Sequence, residues 1–246
     1  MIAEIAARVG KSVIGDIPPD GRAYWAARSW DRDTHDDHPE LGEDFREQER
    51  VIGDYLEEHA KWAVRAVEIG CGTGRFTRLI VDRTDCSELV ALDISAKSLE
   101  LSRHRVPESR VQFRLGDFWG QDGLIAGADL VVCVDAIHHL GNVRAVLERI
   151  HSQMKPGSVF IGNVWVADHF HEFERRRYGG LRHTVRTLGF AWSAVLIRIS
   201  RSKLRTGSYR TQLVRSGEVA EALHAVFSAT KVFTPSRYFV SFVCVA

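Results

Sequence analysis

The chain of 246 residues is poor in cysteine, carries almost no net charge and contains no long apolar run. Its four cysteines, Cys71, Cys86, Cys133 and Cys244, are scattered and form no C-x-x-C pair. That spacing indicates neither a zinc site nor a disulfide framework, and a reducing, cytoplasmic setting is expected. A formal net charge of +1 gives no global attraction to nucleic acid. The longest apolar run, Gly189 to Ile197, is far too short to cross a bilayer, so no transmembrane segment is expected. Lys11 follows the first apolar stretch instead of preceding it, which does not fit a secretory leader. Internal repeats are lacking. The length suits one large domain, or one domain with an insertion.

Against these absences stands the run Val67-Glu68-Ile69-Gly70-Cys71-Gly72-Thr73-Gly74-Arg75-Phe76. An apolar strand carrying an acidic residue runs into three glycines at alternate positions, and a helical pattern follows. Glycine permits a tight turn and leaves no Cβ in a ligand's way. The helix N-terminus beyond it offers unpaired N–H groups. The dinucleotide fingerprint G-x-G-x-x-G does not fit, because the third glycine comes one residue early. Glu68, two residues before the first glycine, suits a ligand end bearing an ammonium better than one bearing pyrophosphate. The segment resembles motif I, (D/E)-x-G-x-G-x-G, of the class I S-adenosylmethionine (SAM)-dependent methyltransferases. SAM has an α-ammonium and a sulfonium and no phosphate.

Further landmarks follow in the family's order. The strand 88–92 ends at Asp93, with Ile94 next and Ser95 placed as an N-cap for a helix over 96–104. A carboxylate there accepts from ribose hydroxyls in the family, and Ile94 would pack on the adenine. The strand 111–115 runs into Gly116-Asp117-Phe118, where the resemblance assigns Asp117 to the adenine amino group and the Phe118 N–H to the ring. A fourth strand ends at Val134 and Asp135, followed by Ala136-Ile137-His138-His139, and backbone carbonyls at this strand end face the methionine ammonium in the family. A helix over 143–154, the turn Lys155-Pro156-Gly157 and a fifth strand over 158–164 complete the pattern. The resemblance implies SAM as cofactor, S-adenosylhomocysteine as product, and Glu68, Gly70, Cys71, Gly72, Gly74, Asp93, Ile94, Asp117, Phe118, Val134 and Asp135 as its contacts. It covers roughly residues 64–165 well and is absent from about 167 to 215.

The expected architecture is an α/β, Rossmann-like class I methyltransferase fold. It has a seven-stranded, mostly parallel sheet closed by a C-terminal antiparallel hairpin. An N-terminal helical cap segment spans 1–60, the SAM-binding core 61–166, a helical insertion or acceptor cap 167–215, and the end of the core sheet 216–246. Tyr24, Trp25 and Trp30 either cover the site or anchor their segment to the core. The stretch 31–38 has metal-ligand residue types, but no regular element fixes their geometry, so it reads as a solvated loop and no metal is expected. The insertion is strongly basic, with eleven Lys or Arg from Arg175 to Arg215 against Glu172 and Glu174. Three readings of it stay open: a helix packed on the core with its arginines in solvent, a cap whose face, Trp192 included, lines an acceptor pocket, or an interfacial or nucleic-acid-binding helix.

His138 and His139 fall near the expected methyl position, and imidazole suits proton removal at neutral pH. Adjacent residues diverge, so at most one is expected to point inward, and plain backbone-bonded loop residues are the alternative. The (D/N)-P-P-(Y/F) motif of base and glutamine N-methyltransferases is absent; the chain has Asp135-Ala136-Ile137-His138. A small-molecule O-, N- or C-acceptor follows, in a secondary-metabolic setting. Nucleic acid is disfavoured as a partner, and a homodimer stays open. The alternatives are an RNA methyltransferase that uses the basic insertion and a SAM-fold protein with a non-methylating role.

Overall fold

The computed structural model describes residues 1–30, 42–204 and 209–246. Three helices come first: α1 (Ile2–Ile14), α2 (Arg22–Ala26) and α3 (Gly42–His59). The alternating core follows as β1 (Arg65–Ile69), α4 (Arg75–Arg83), β2 (Glu88–Asp93), α5 (Ala96–Arg105), β3 (Val111–Leu115), β4 (Leu130–Cys133), α6 (Val143–Gln153) and β5 (Val159–Trp165). The chain ends with α7 (Phe170–Ile199), α8 (Ser216–Val226), β6 (Ala229–Pro235) and β7 (Phe239–Val245).

The seven strands form one sheet in the order β3-β2-β1-β4-β5-β7-β6. Strands β1 to β5 pair in parallel, while β7 runs antiparallel to both β5 and β6. The near-continuous apolar strands reflect burial on both sheet faces. In β4, Val131 and Cys133 join α6 and α8 through Leu147 and Leu223. Leu130 and Val132, on the opposite face, join α3 and α4 through Leu56 and Ile80. The period of two sends alternate side chains to opposite layers. Strand order reverses between β1 and β4, which opens a crevice at the carboxyl edge of those strands.

The helical insertion is α7, two helices that meet at a break at Gly179 (φ 76°, ψ 158°). The break lets His171 Nδ1 and His183 Nε2 approach to 3.0 Å. Beyond it α7 lies against α1: Ile14 shares a small core with Ala194 and Ile197, and a Cβ at Gly10 would fall 2.6 Å from the Phe190 ring. The three N-terminal helices therefore go to different places. α1 packs on the insertion, α2 reaches the crevice, and α3 packs on the sheet.

Candidate active site

The chain turns from β1 into α4 through Gly70, Gly72 and Gly74, all with positive φ (74°, 55° and 84°). A Cβ at Gly70 would lie 2.5 Å from the Ala136 Cβ, whereas one at Gly72 would meet nothing within 4 Å and would project into open space. The loop is tied to β2: Gly70 and Cys71 N–H donate to the Leu92 carbonyl at 2.8 and 3.0 Å, and Gly72 N–H donates to Asp93 Oδ2 at 2.8 Å. Asp93 Oδ1 accepts from Ser95 N–H at 2.8 Å. Burial raises the Asp93 pKa, and these N–H donors oppose that rise. The Ile94 N–H also reaches this carboxylate, whose remaining acceptor capacity is open to a ligand. Ser95 caps α5 by accepting from Ser98 N–H, as its position in sequence implies.

A cleft of about 310 Å³ opens over this edge of the sheet. Gly70, Cys71, Gly72, Asp93, Ile94, Asp117 and Phe118 line one half. Val134, Asp135, His138, His139, Leu140 and Trp165 line the other, with Trp25, Trp30 and Phe45 from the N-terminal segment. Asp117 Oδ1 accepts from Trp119 N–H at 3.2 Å, while Arg22 of α2 stands 3.7 Å from Asp117 Oδ2. Asp135 adopts φ 54° and accepts from Gln48 Nε2 at 2.8 Å. Gln48 Nε2 also donates to Asn163 Oδ1, and Asn163 Nδ2 donates to Ser241 Oγ. This chain of buried polar groups ties the rim of the cleft to α3, β5 and β7.

Four expected site residues lie elsewhere. Glu68 is 2% exposed and turns behind the glycine loop, where the Thr77 hydroxyl donates to Oε2 at 2.5 Å. Burial pushes its pKa up to about 8. Its position within β1 puts it on the face covered by α4, so Asp93, Asp117 and Asp135 open on the cleft without it. Gly74 serves packing, since a Cβ there would crowd Ser102 at 3.1–3.2 Å. Tyr24 lies outside the cleft lining, with the Arg28 and Arg210 guanidiniums 4.1 and 3.7 Å from its ring centre. Trp192 is 65% exposed on α7 and does not line the cleft. The candidate metal stretch, 31–38, is outside the described residues.

Both histidines, and not one, face the cleft. The short helical turn Ile137–His139 brings their rings to 4.2 Å between centres, and His139 also packs on Trp25, the rings tilted by 54° with centres 4.6 Å apart. His138 Nδ1 accepts from Trp165 N–H at 3.3 Å, so in the neutral ring the proton sits on Nε2. Thr211 Oγ1 lies 2.9 Å from His139 Nδ1, and the Arg210 backbone lies beside the same ring. Burial lowers the His138 pKa to about 3 and that of His139 well below its usual value. Both rings are neutral near pH 7.

Sequence reasoning missed Arg22, Arg28, Arg75 and Gln48, because nothing in their local pattern distinguishes them. Trp165 was within reach of the rule that flagged Asp93 and Asp135, since it ends the strand next to β4.

The family model for a methyltransferase domain matches residues 67–160. The central segment is a class I SAM-dependent methyltransferase domain. The domain is 27% identical over 93 residues to a malonyl-[acyl-carrier protein] O-methyltransferase of Priestia megaterium, covering 38% of this chain and 34% of that protein. It is 30% identical over 107 residues to a sterol 24-C-methyltransferase of Debaryomyces hansenii, covering 42% and 28%. The chain thus matches about a third of the length of these curated relatives. The fold is that of the N-methyltransferase NodS of Bradyrhizobium japonicum, solved with S-adenosylhomocysteine, with TM-score 0.56 and 15% identity over 86% of this chain and 93% of that one. The methyltransferase domain carries the glycine loop, Asp93, Asp117 and both histidines. The matched span stops before α7.

Proposed function

We propose that the chain transfers the methyl group of SAM to a small-molecule acceptor. The observation that carries this reading is the division of one cleft into two chemically different halves. Beside the glycine loop, Asp93 and Asp117 offer carboxylate acceptors, Ile94 and Phe118 offer apolar surface, and the open space over Gly72 admits a ligand against main chain. These groups suit the ribose, adenine and amino-acid parts of SAM. Across the cleft, Trp25, Phe45, Leu140 and Trp165 surround two neutral imidazoles, which suits an acceptor with an apolar body and one polar reacting group. The two relatives, one an O-methyltransferase of a malonyl group on acyl-carrier protein and one a C-methyltransferase of a sterol, do not choose among acceptors.

SAM, when bound, supplies an electrophilic methyl on a sulfonium. The residues of this chain then have to position and deprotonate. Holding the acceptor in near-attack geometry supplies about 7–11 kcal/mol of barrier reduction in favourable cases. His138, with its proton on Nε2, is set to donate a hydrogen bond and orient the acceptor. His139 is the candidate base: with its Nδ1 proton given to Thr211 Oγ1, its Nε2 keeps a lone pair. It would take the acceptor's proton, while SAM held by the glycine loop, Asp93 and Asp117 would supply the methyl, its sulfur leaving as the neutral thioether. We further propose a reducing, cytoplasmic setting, a role in secondary metabolism and a homodimeric assembly.

Calorimetric titration tests the cofactor half. SAM binds, NAD does not, and Asp93→Ala weakens SAM about 10- to 100-fold, since hydrogen bonds to charged groups are worth about 1.5–3 kcal/mol. An unchanged dissociation constant in Asp93→Ala sinks the assignment. Conversion of SAM to S-adenosylhomocysteine in the presence of small-molecule extracts tests the reaction itself.

A further inference from the structure

We infer that the solvent face of the second half of α7 docks on an anionic membrane surface. The two helices pack side by side through Ala3, Ala6, Gly10 and Ile14 on one and Ala194 and Ile197 on the other. Each nevertheless leaves an apolar stripe in solvent. On α1 it is Ile2, Ile5 and Val9, which are 50–62% exposed at spacings of three and four. On α7 it is Leu181, Val185, Leu188 and Trp192, again at spacings of four, three and four, with exposures from 50% to 83%. Helical spacing puts each set on one face of its helix. Scattered exposed hydrophobics are ordinary, but a stripe of four on the face of α7 turned away from α1 marks an interaction surface.

Charge selects the occupant. Residues 170–204 carry eight Lys or Arg against two Glu. Both acids are already ion-paired: Glu172 with Arg176 and Arg237, and Glu174 with Arg186. On α1, Glu4 is paired with Arg175. Among the described residues Arg8, Arg198, Arg201 and Lys203 make no ion pair. An apolar face rimmed by uncommitted cations and carrying an exposed tryptophan is the pattern of a helix lying in the headgroup region of anionic lipid. No helix of the described residues is long and apolar enough to span a membrane, so the binding is peripheral. A second copy of this chain would bring the same cations against each other, and RNA would use the cations but not the stripes.

The docking does not depend on the proposed methyl transfer.

Vesicle co-sedimentation of the whole chain tests it. Vesicles of phosphatidylcholine with 30% phosphatidylglycerol are expected to bind the protein at least 10-fold more tightly than phosphatidylcholine alone, with a blue shift of tryptophan emission. The double variant Leu188→Glu, Trp192→Glu changes only exposed positions. It is expected to lose binding at least 10-fold while its melting temperature stays unchanged. Arg198→Glu with Arg201→Glu should remove the preference for phosphatidylglycerol. Failure of the wild-type protein to bind the anionic vesicles overturns the inference. So does a dimer in sedimentation equilibrium that Leu188→Glu, Trp192→Glu dissociates without any vesicle binding, or binding to single-stranded RNA that the acidic stripe variant leaves intact.

Discussion

In the proposed reaction the two imidazoles divide their labour through single hydrogen bonds. His138 accepts from a backbone N–H and is thereby fixed as a donor toward the cleft. His139, in the tautomer that gives its Nδ1 proton to Thr211 Oγ1, keeps a lone pair on Nε2. His139→Ala is accordingly expected to lower turnover about 100-fold or more, the usual range for removal of a general base, with the SAM dissociation constant unchanged. His138→Ala is expected to raise the acceptor KM more than it lowers kcat. Steady-state kinetics with calorimetry checks both, and full activity in both variants removes acid–base chemistry from the site. Sequence alone located both histidines but assigned them divergent directions. Side-chain divergence holds for a strand. The helical turn at Ile137–His139, which the sequence pattern did not signal, lets adjacent rings share one side. The same limit explains Glu68. A strand-end rule places a carboxylate near the site, but its place within β1, and hence its face, decides whether it opens on the cleft or on α4.

At the level of elements, the parts carried by local periodicity were legible. The alternating strands and helices from β1 to β5, the glycine turn, the Ser95 cap and the final hairpin all follow from patterns within about ten residues. The destinations of α1 and α3 were not legible, because amphipathic helices state that they pack and not on what. Gln48 shows how much such a destination matters. Its amide joins Asp135 on the cleft rim to Asn163 in the core, and Asn163 to Ser241 on the neighbouring strand. Gln48→Leu leaves the Asn163 Oδ1 without that donor in a fully buried position. Such stranding costs about 1–3 kcal/mol, which for a chain of this size lowers the melting temperature by several degrees. It also weakens SAM binding if the position of Asp135 depends on its amide partner. Gly10→Val provides the contrast: its side chain would collide with Phe190 and part α1 from α7. Its expected result is a lower melting temperature with SAM affinity retained. Thermal melts with and without SAM separate the two outcomes.

For the whole molecule, two buried ionisable groups impose opposite demands on stability as pH changes. The His138 pKa is lowered from 6.5 to about 3 by burial. Between those values the unfolded chain binds a proton that the folded chain refuses, so stability rises with pH from 3 to 6.5. His139, also lowered, acts with the same sign. The Glu68 pKa is raised from 4.5 to about 8 by burial. Between those values the folded chain holds a proton that the unfolded chain has released, so stability falls as pH rises from 4.5 to 8. The two effects oppose each other from 4.5 to 6.5 and flatten the profile there. Above 6.5 the histidine contribution is complete and Glu68 acts without that opposition. Its greatest slope is about 1.4 kcal/mol per pH unit, so a loss on the order of 1–2 kcal/mol between pH 6.5 and 8 is expected. Glu68→Gln keeps an acceptor for the Thr77 hydroxyl and removes the proton. Its melting temperature is expected to stay level across that window while the wild-type value declines. Parallel declines in the two proteins would show that Glu68 is ionised in the folded chain despite its burial. The carboxylate would then have to be drawn to a cation at the glycine loop, and the ammonium of SAM would be the first ligand to test there.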